Sequence, residues 1–481
     1  MVAERMENAA IVARLTEIAG ANNVLAQPEA RVKYANDQYW YAIAAAAAGQ
    51  PLSKPDAAVT PETVEQVAAV VRLANELNIP LTPWGGGSGV QGAANADRGG
   101  IVLDTRKMKA IRHVDELSLT CTVEAGLACR DFEAYLNERG LTFTHYPAST
   151  EWATIGGSIG ARGSGVLSSK YGKIEDHVLA VEFVTPTGEI VHTPAVPRHA
   201  AGPELTQLLI GSEGTLGVVT AAVVKLRHLP VKRIFGVYSF ASLDEGAEAG
   251  RQIMVSGLRP AVLRYYDAYA AAHSLARAVE TPLPNPTMVL MFDGEYPSLV
   301  SAEAETAFSI CRQHGGEELP ASIGETWWDK RYVFYYPPYA PELPSIWGTV
   351  DVVADFSHIN AVYHATTRAI REAVGAEWNL SLNTHFSHWY EWGSMIYARM
   401  KIPTGPADLA EAKALHDKII KAGVDAALAA GAVINDHHGV GLRLQPFMEA
   451  QYGSAGMHAL SQIKHGLDPK NILCPGKLGL G

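Results

Sequence analysis

Two glycine-rich segments constrain this chain more than any other feature. The first reads Pro83-Trp84-Gly85-Gly86-Gly87-Ser88-Gly89-Val90 and closes the short apolar run IPLTPW. The second reads Thr154-Ile155-Gly156-Gly157-Ser158-Ile159-Gly160 and continues through Arg162-Gly163-Ser164-Gly165 to Tyr171-Gly172. Glycines directly behind a strand let backbone N–H groups converge on an anion, because no Cβ blocks the approach. No Gly-Lys-Ser/Thr follows either segment, so neither is a Walker A loop. Neither opens a long helix with G-x-G-x-x-G, which disfavours a Rossmann site. A pair of tight turns would account for either segment taken singly.

Composition narrows the setting. A chain of 481 residues holds two or three folding units at the usual ~100–200 residues each. Hydrophobic residues make up 48% and charged residues 19%, which fits a large core and excludes a disordered chain. Lys plus Arg number 39 against 50 Asp plus Glu, a net charge of −11. That balance argues against nucleic acid or an anionic membrane as partner. Cys121, Cys129, Cys311 and Cys474 form no C-x-x-C pair, so neither a disulfide framework nor a cysteine zinc site is expected, and Cys474 is expected to be structural. The start, MVAERMENAAIVARL, lacks the pattern of a signal peptide. No apolar run approaches the ~20 residues of a membrane span. A cytoplasmic, thiol-reducing setting is expected.

Along the chain, residues 1–50 read as an Ala-rich N-terminal helical segment. Residues 51–230 read as α+β, beginning with a helix over PETVEQVAAVVRLANELNI capped at Thr60 ahead of Pro61. VTPTGEIV predicts two strands joined by a tight turn. In 231–440, helical patterns such as LDEGAEAGRQIMVSG alternate with apolar strands such as TMVLMFDGEY and SMIYARMKI, an antiparallel sheet with flanking helices. Residues 441–481 are a helix followed by GLDPKNILCPGKLG.

Four motifs carry a resemblance. PWGGGSGVQG, STEWATIGGSIGARGSG, YGKIEDHV and LIGSEGTLGVVT, in this order over about 55–230, resemble the FAD-binding domain of the vanillyl-alcohol-oxidase/para-cresol-methylhydroxylase superfamily. The ending LDPKNILCPGKLG resembles the C-terminal return to that domain. The resemblance implies an α+β protein: a PCMH-type FAD-binding domain of two α/β subdomains, and a cap domain whose antiparallel sheet, with flanking helices, covers the flavin ring. It also implies that Pro83, Trp84, Gly85, Gly86, Gly87, Ser88, Gly89 and Val90 form one wall of the FAD site. Pro147, Ser149, Thr154, Ile155, Gly156, Gly157, Ser158, Gly160, Arg162, Gly163, Ser164 and Gly165 would form the other. Glu213, Gly214, Val218 and Val219 would line the ribityl or adenine side. Some members tether the flavin through a histidine in the first loop. Trp84 to Ser88 contains none, so FAD is expected to be non-covalent, with a link from a cap tyrosine or histidine left open.

The cap separates two branches of the superfamily. The D-2-hydroxyacid dehydrogenases carry H-x-G-D-G-N and then E-H-G-[IV]-G. This chain has His385-Phe-Ser-His388-Trp-Tyr390 and Asp436-His437-His438-Gly439-Val440-Gly441 in those places. Ser387-His388-Trp389-Tyr390-Glu391 leading to Met395-Ile396-Tyr397, with Arg259-Pro260-Ala261-Val262-Leu263-Arg264, is more similar to the alkylglycerone-phosphate synthase branch. That match implies roles for Arg264 beside the substrate, for Tyr397 as the active-site tyrosine, and for His437 and His438 as the histidine cluster.

Oxidation at a flavin needs a carbon held over the ring and a base for the partner proton. His388, His437, His438 and Tyr397 suit that task, and Arg264 suits a carboxylate or phosphate. His385-x-x-His388 with Asp436 or His437 could form a metal set, but on a strand a three-residue offset sends the imidazoles to opposite faces, so no metal is expected. Trp327, Trp328, Tyr332, Phe334, Tyr335, Tyr336 and Tyr339 either wall an apolar pocket or belong to the core. The expectation is an FAD-linked oxidoreductase acting on a C–H bond next to oxygen, on a 2-hydroxy acid or an aromatic or other alcohol. Its alternatives are an alkylglycerone-phosphate-synthase-like transferase with non-redox flavin chemistry and a catalytically idle flavin-binding protein. Expected partners are a small-molecule substrate, an electron acceptor (oxygen, quinone or cytochrome) and a second copy in a homodimer.

Overall fold

The computed structural model describes residues 8–196, 198–332 and 343–481. Three larger sheets organise it, beside a two-stranded pairing of Leu141–Thr142 with Arg227–His228. The first has four strands in the order Val24–Ala26, Ala57–Val59, Ile101–Asp104, Leu81–Trp84, the last three mutually parallel. The helix Val64–Leu77 covers it because Val67, Val70, Val71 and Ala74 recur at three- and four-residue spacing and pack on Leu81, Ile101 and Leu103. Its cap is Thr63, not Thr60: the Thr63 side chain accepts from the Gln66 N–H, while the Thr60 N–H donates to the Asn23 carbonyl and holds the approach extended. Residues 1–50 are also less uniform than expected. Helices Asn8–Ala19, Glu29–Lys33 and Trp40–Ala47 are interrupted by Val24–Ala26, which pairs with Ala57–Val59. A three-residue strand is too short to show a period.

The chain end returns to this sheet. The Leu81 N–H donates to the Ile472 carbonyl at 2.7 Å and the Cys474 N–H to the Leu81 carbonyl at 2.9 Å. Cys474 is buried there, which pushes its thiol up to about 12 and leaves it inert.

The second sheet is antiparallel, in the order Ile111–Asp115, Thr120–Glu124, Val218–Lys225, Val178–Val184, Ile190–His192. Its last two strands are the hairpin that VTPTGEIV predicts.

The third sheet, also antiparallel, has seven strands: Glu317–Leu319, Lys232–Ser239, Thr287–Gly294, Val262–Tyr266, Ser381–Trp389, Gly393–Ile402 and Ile346–Asp355. Alternation along its strands sorts side chains onto two faces. Leu263, Tyr265, Leu382, Phe386, Ile396, Ala398, Met400, Val350 and Val352 lie in one core with the helices Leu243–Val255, Ile359–Val374 and Leu409–Ala429. Truncating one of them, as in Leu382→Ala, costs about 2–5 kcal/mol. The intervening residues Arg264, His385, Ser387, Met395, Tyr397 and Arg399 face a cleft instead.

Trp327 and Trp328 sit in the helix Ser322–Asp329 and are core residues. Trp327 Nε1 donates to Tyr266 Oη at 2.7 Å, and both rings pack with Val237 and Val289. The Arg331 guanidinium lies over the Trp328 ring, 3.9 Å from its centroid, and 4.6 Å from that of Tyr332. Phe334, Tyr335, Tyr336 and Tyr339 lie outside the described residues.

Candidate active site

A cleft of about 350 Å³ separates the two glycine segments from the face of the seven-stranded sheet that carries Arg264, His385 and Tyr397. Pro83 through Val90 all line it. So do Pro147, Ser149, Thr154, Gly156, Gly157, Ser158, Gly160, Gly163, Ser164, Gly165, Glu213, Gly214, Val218 and Val219. Two expected residues do not. Ile155 points into the core beside Phe132 and Phe143, because it is the first residue of the helix Ile155–Ala161 and packs its inner face. Arg162 ends that helix in the left-handed region and reaches outward to Glu175 at 3.2 Å.

The glycines let the two segments meet. A Cβ on Gly86 would fall 1.7 Å from the Trp152 carbonyl oxygen, and Gly87 holds a φ of 64°. The chain therefore turns tightly against the second segment, and among the described residues the N–H groups of Gly87, Ser88 and Gly89 donate to no protein acceptor. Thr154 caps the second segment by accepting from the Gly157 N–H at 3.2 Å. Exposed amides without protein partners on a side-chain-free wall fit the diphosphate of FAD. Buried His145, whose ring nitrogens have no hydrogen-bond partner among the described residues, lines the same cleft.

Opposite this wall stand the histidines. His388 lies at a β-bulge: the register slips between Ser387 and Trp389, and His388 has a φ of 51°. The extra residue re-aims the side chain, so Trp389 returns to the core while His388 joins His385 in the cleft. The expectation that the two imidazoles face opposite ways is thereby corrected. Asp436 gathers this end. Its Oδ2 accepts from His388 Nδ1 at 2.9 Å and His437 Nδ1 at 3.0 Å, and its Oδ1 accepts from Tyr390 Oη at 2.6 Å. His438 Nδ1 lies 2.9 Å from Asp351 Oδ1, an ion-pair contact off line for a hydrogen bond. Arg264 donates to His385 Nε2 at 2.6 Å, and His385 stacks on Tyr397 with centroids 4.9 Å apart.

Burial governs the charge states. It lowers His437 to about 3, with repulsion from His438 adding to it. It lowers His388 against the opposing pull of Asp436, and holds His385 well below its usual range together with Arg264 and Arg399. These rings are neutral bases at neutral pH. Burial alone would raise Asp436, but Lys173 and the bonds from His388 and His437 keep it well below the usual carboxylate range. Asp351 is lowered in the same way, burial opposing and His438 prevailing.

Glu213 does more than line the cofactor side. Its carboxylate accepts from the Val440 N–H and, at 2.8 Å, from the Gly441 N–H, tying the histidine loop to the glycine wall. Two sets, Asp351 with His437 and His438, and His388 with Asp436 and His437, bring potential metal-ligating atoms within 4.8 Å of one another. Sequence reasoning missed Asp351, whose alternating strand context looks like any half-buried strand, and Arg399, His145 and Trp347, which stand in no motif.

Comparison with known proteins gives the chain its setting. Residues 55–194 match a family described as an FAD binding domain, and residues 229–478, more than half of the chain, match the C-terminal domain of FAD linked oxidases. The alkyldihydroxyacetonephosphate synthase of Trypanosoma brucei brucei is 28% identical over 453 residues, covering 88% of this chain and 73% of that protein. The glycolate oxidase subunit GlcD of Bacillus subtilis is 26% identical, covering 97% and 96%. A solved structure of p-cresol methylhydroxylase with substrate bound shares the fold, with a TM-score of 0.78 at 18% identity over 98% of this chain and 96% of that one. Among the described residues no helix is long and apolar enough to cross a membrane.

Proposed function

The chain belongs to the FAD-linked oxidases, and from that premise we propose that it oxidises a C–H bond adjacent to oxygen on a small organic substrate, a 2-hydroxy acid or an aromatic or other alcohol. Bound FAD supplies the hydride acceptor, N5 of its ring. The observation that carries this reading is the convergence of His388, His437, His438, Tyr397 and Arg264 on the cleft that both glycine segments line.

Each residue has a task the geometry allows. Arg264, steadied by His385 and flanked by the rings of Tyr266 and Trp327 at 5.7 and 5.8 Å, binds an anionic group of the substrate through its planar fork. A neutral imidazole of His388 or His437 takes the substrate hydroxyl proton as the carbon loses its hydride. Tyr397, stacked on His385, positions the reacting oxygen. The glycine wall and the sheet face together shield the reacting carbon from bulk water.

Anaerobic mixing of the FAD-loaded protein with a panel of hydroxy acids and phenolic and aliphatic alcohols tests the reading. Loss of flavin absorbance with at least one compound is expected; a panel that leaves the spectrum unchanged overturns it. The loop Asp436-His437-His438-Gly439-Val440-Gly441 and the missing GDGN favour a second reading, a transferase like the alkyldihydroxyacetonephosphate synthases. Exchange of an acyl group for a fatty alcohol on an alkylglycerone-type ester, with no net flavin reduction, would select it.

A further inference from the structure

We propose that Asp436 is the positioning carboxylate of this site: it fixes His388 and His437 as Nδ1–H tautomers, so that each ring presents an unprotonated Nε2 to the cleft, and it balances the positive charge that either ring takes up with the substrate proton. The charge-balancing half rests on the oxidoreductase reading above; the tautomer half stands on the hydrogen bonds alone.

An ionised carboxylate offers acceptors only. Asp436 Oδ2 lies 2.9 Å from His388 Nδ1 and 3.0 Å from His437 Nδ1, so each of those nitrogens carries its hydrogen. A neutral imidazole has one N–H, and both Nε2 atoms are therefore bare. The two rings stand edge to face with centroids 4.8 Å apart, each pivoting on the same oxygen. Tyr390 Oη closes Oδ1 at 2.6 Å, and Ser164 Oγ, from the second glycine segment, reaches Oδ2 at 3.4 Å.

The charges around this carboxylate favour its ionised form. Lys173 Nζ stands 3.9 Å from Oδ1 and donates to the Asp436 main-chain carbonyl, while sharing Glu175 at 3.8 Å. The other charged or titratable neighbours of the two rings include Asp351, 3.7 Å from His437 Nδ1, His438, the Tyr397 ring 6.2 Å from that of His437, His385, and Arg264 and His145 beside His388. Asp351 is too far from His437 Nδ1 for a hydrogen bond, which leaves Asp436 as the group that sets that proton. When the substrate O–H proton moves to an Nε2, the ring becomes doubly protonated and cationic, and the carboxylate 3 Å away stabilises it.

The test uses the FAD-loaded full chain labelled with 15N-histidine, the resonances of His388 and His437 being identified by their loss in His388→Asn and His437→Asn. Both rings are expected to show Nδ1 in the protonated range and Nε2 in the unprotonated range. A ring with a protonated Nε2 and bare Nδ1 overturns the proposal. Asp436→Asn should slow flavin reduction by about 10²–10⁴-fold with FAD content retained. It should also shift the acid limb of the pH–rate profile to lower pH, because the charge favouring the imidazolium is gone, and Asp436→Glu should restore part of both. A merely structural role would slow the reaction without moving that limb, and an unmoved limb overturns charge balancing. If no compound bleaches the flavin in the unaltered protein, the oxidoreductase reading fails, while the nitrogen shifts still decide the tautomers.

Discussion

His438 Nδ1 stands 2.9 Å from Asp351 Oδ1, joining the histidine loop to the strand Ile346–Asp355 inside the cleft. The Asp351 side chain is 1% exposed and that of His438 18%. Truncating Asp351 takes away the carboxylate that His438 Nδ1 faces and leaves a buried gap, a loss on the order of 1–3 kcal/mol. Asp351→Ala is therefore expected to lower the stability of the FAD-loaded protein by about that amount in urea denaturation and to slow flavin reduction. A midpoint equal to the parent's would show that His438 is placed by the loop alone.

Gly86→Ala tests the meeting of the two glycine segments. The added Cβ lands 1.7 Å from the Trp152 carbonyl oxygen, a backbone atom that cannot swing aside. The segments must part, and the wall of amides between them is displaced. Purified Gly86→Ala is expected to carry less than about a tenth of the parent's flavin, since a forced overlap of this kind costs roughly 1–3 kcal/mol, and the ratio of visible to ultraviolet absorbance measures it. A full complement of flavin would mean the loop relaxes at no cost.

What was legible in the sequence follows from how each residue acts. The glycine walls work through bare backbone, so residue type alone announces them, and all of Pro83 to Val90 line the cleft. Tyr397 was legible through the resemblance carried by Met395-Ile396-Tyr397, and the regular alternation of the strand Gly393–Ile402 keeps it on the cleft face. His388 obeys no such rule: a bulge turns it, and a bulge is a property of pairing between strands, which one strand's sequence does not display. Asp351 and Asp436 escaped as orienting groups for a related reason. Their function lies in what faces them, His438 across a sheet edge and His388 across 48 residues of chain. Ile155 and Arg162 failed in the opposite direction, since they share a motif with lining residues yet stand at the two ends of a short helix, Ile155 turned into the core and Arg162 out to Glu175.

Metal removal separates a hydrogen-bonded cluster from a metal centre. The Nδ1 atoms of His388 and His437 both give their hydrogens to Asp436, so neither has a lone pair for a cation while those bonds stand. Exhaustive treatment with a chelator is expected to leave the rate of flavin reduction unchanged, with elemental analysis showing no stoichiometric transition metal. A tightly held ion whose removal abolishes reduction, and whose return restores it, would assign His388, Asp436 and His437 as ligands instead.

Glu213 gives the fold a pH dependence with a definite sign. Burial pushes its carboxyl from 4.5 up to about 7, although the N–H groups of Gly441 and Val440 pull the other way. Between pH 4.5 and about 7 the folded protein holds a proton that the unfolded chain has released, so stability falls as pH rises through that window. The contribution is complete below the lower limit and lost above the upper one. In Glu213→Gln the amide oxygen still accepts from the histidine loop, but nothing titrates. The melting temperature of Glu213→Gln relative to the parent is therefore expected to rise steadily across the same window and then level off. A difference that stays constant with pH would show that the Glu213 carboxylate is ionised in the folded protein throughout, held there by the two amides of the histidine loop.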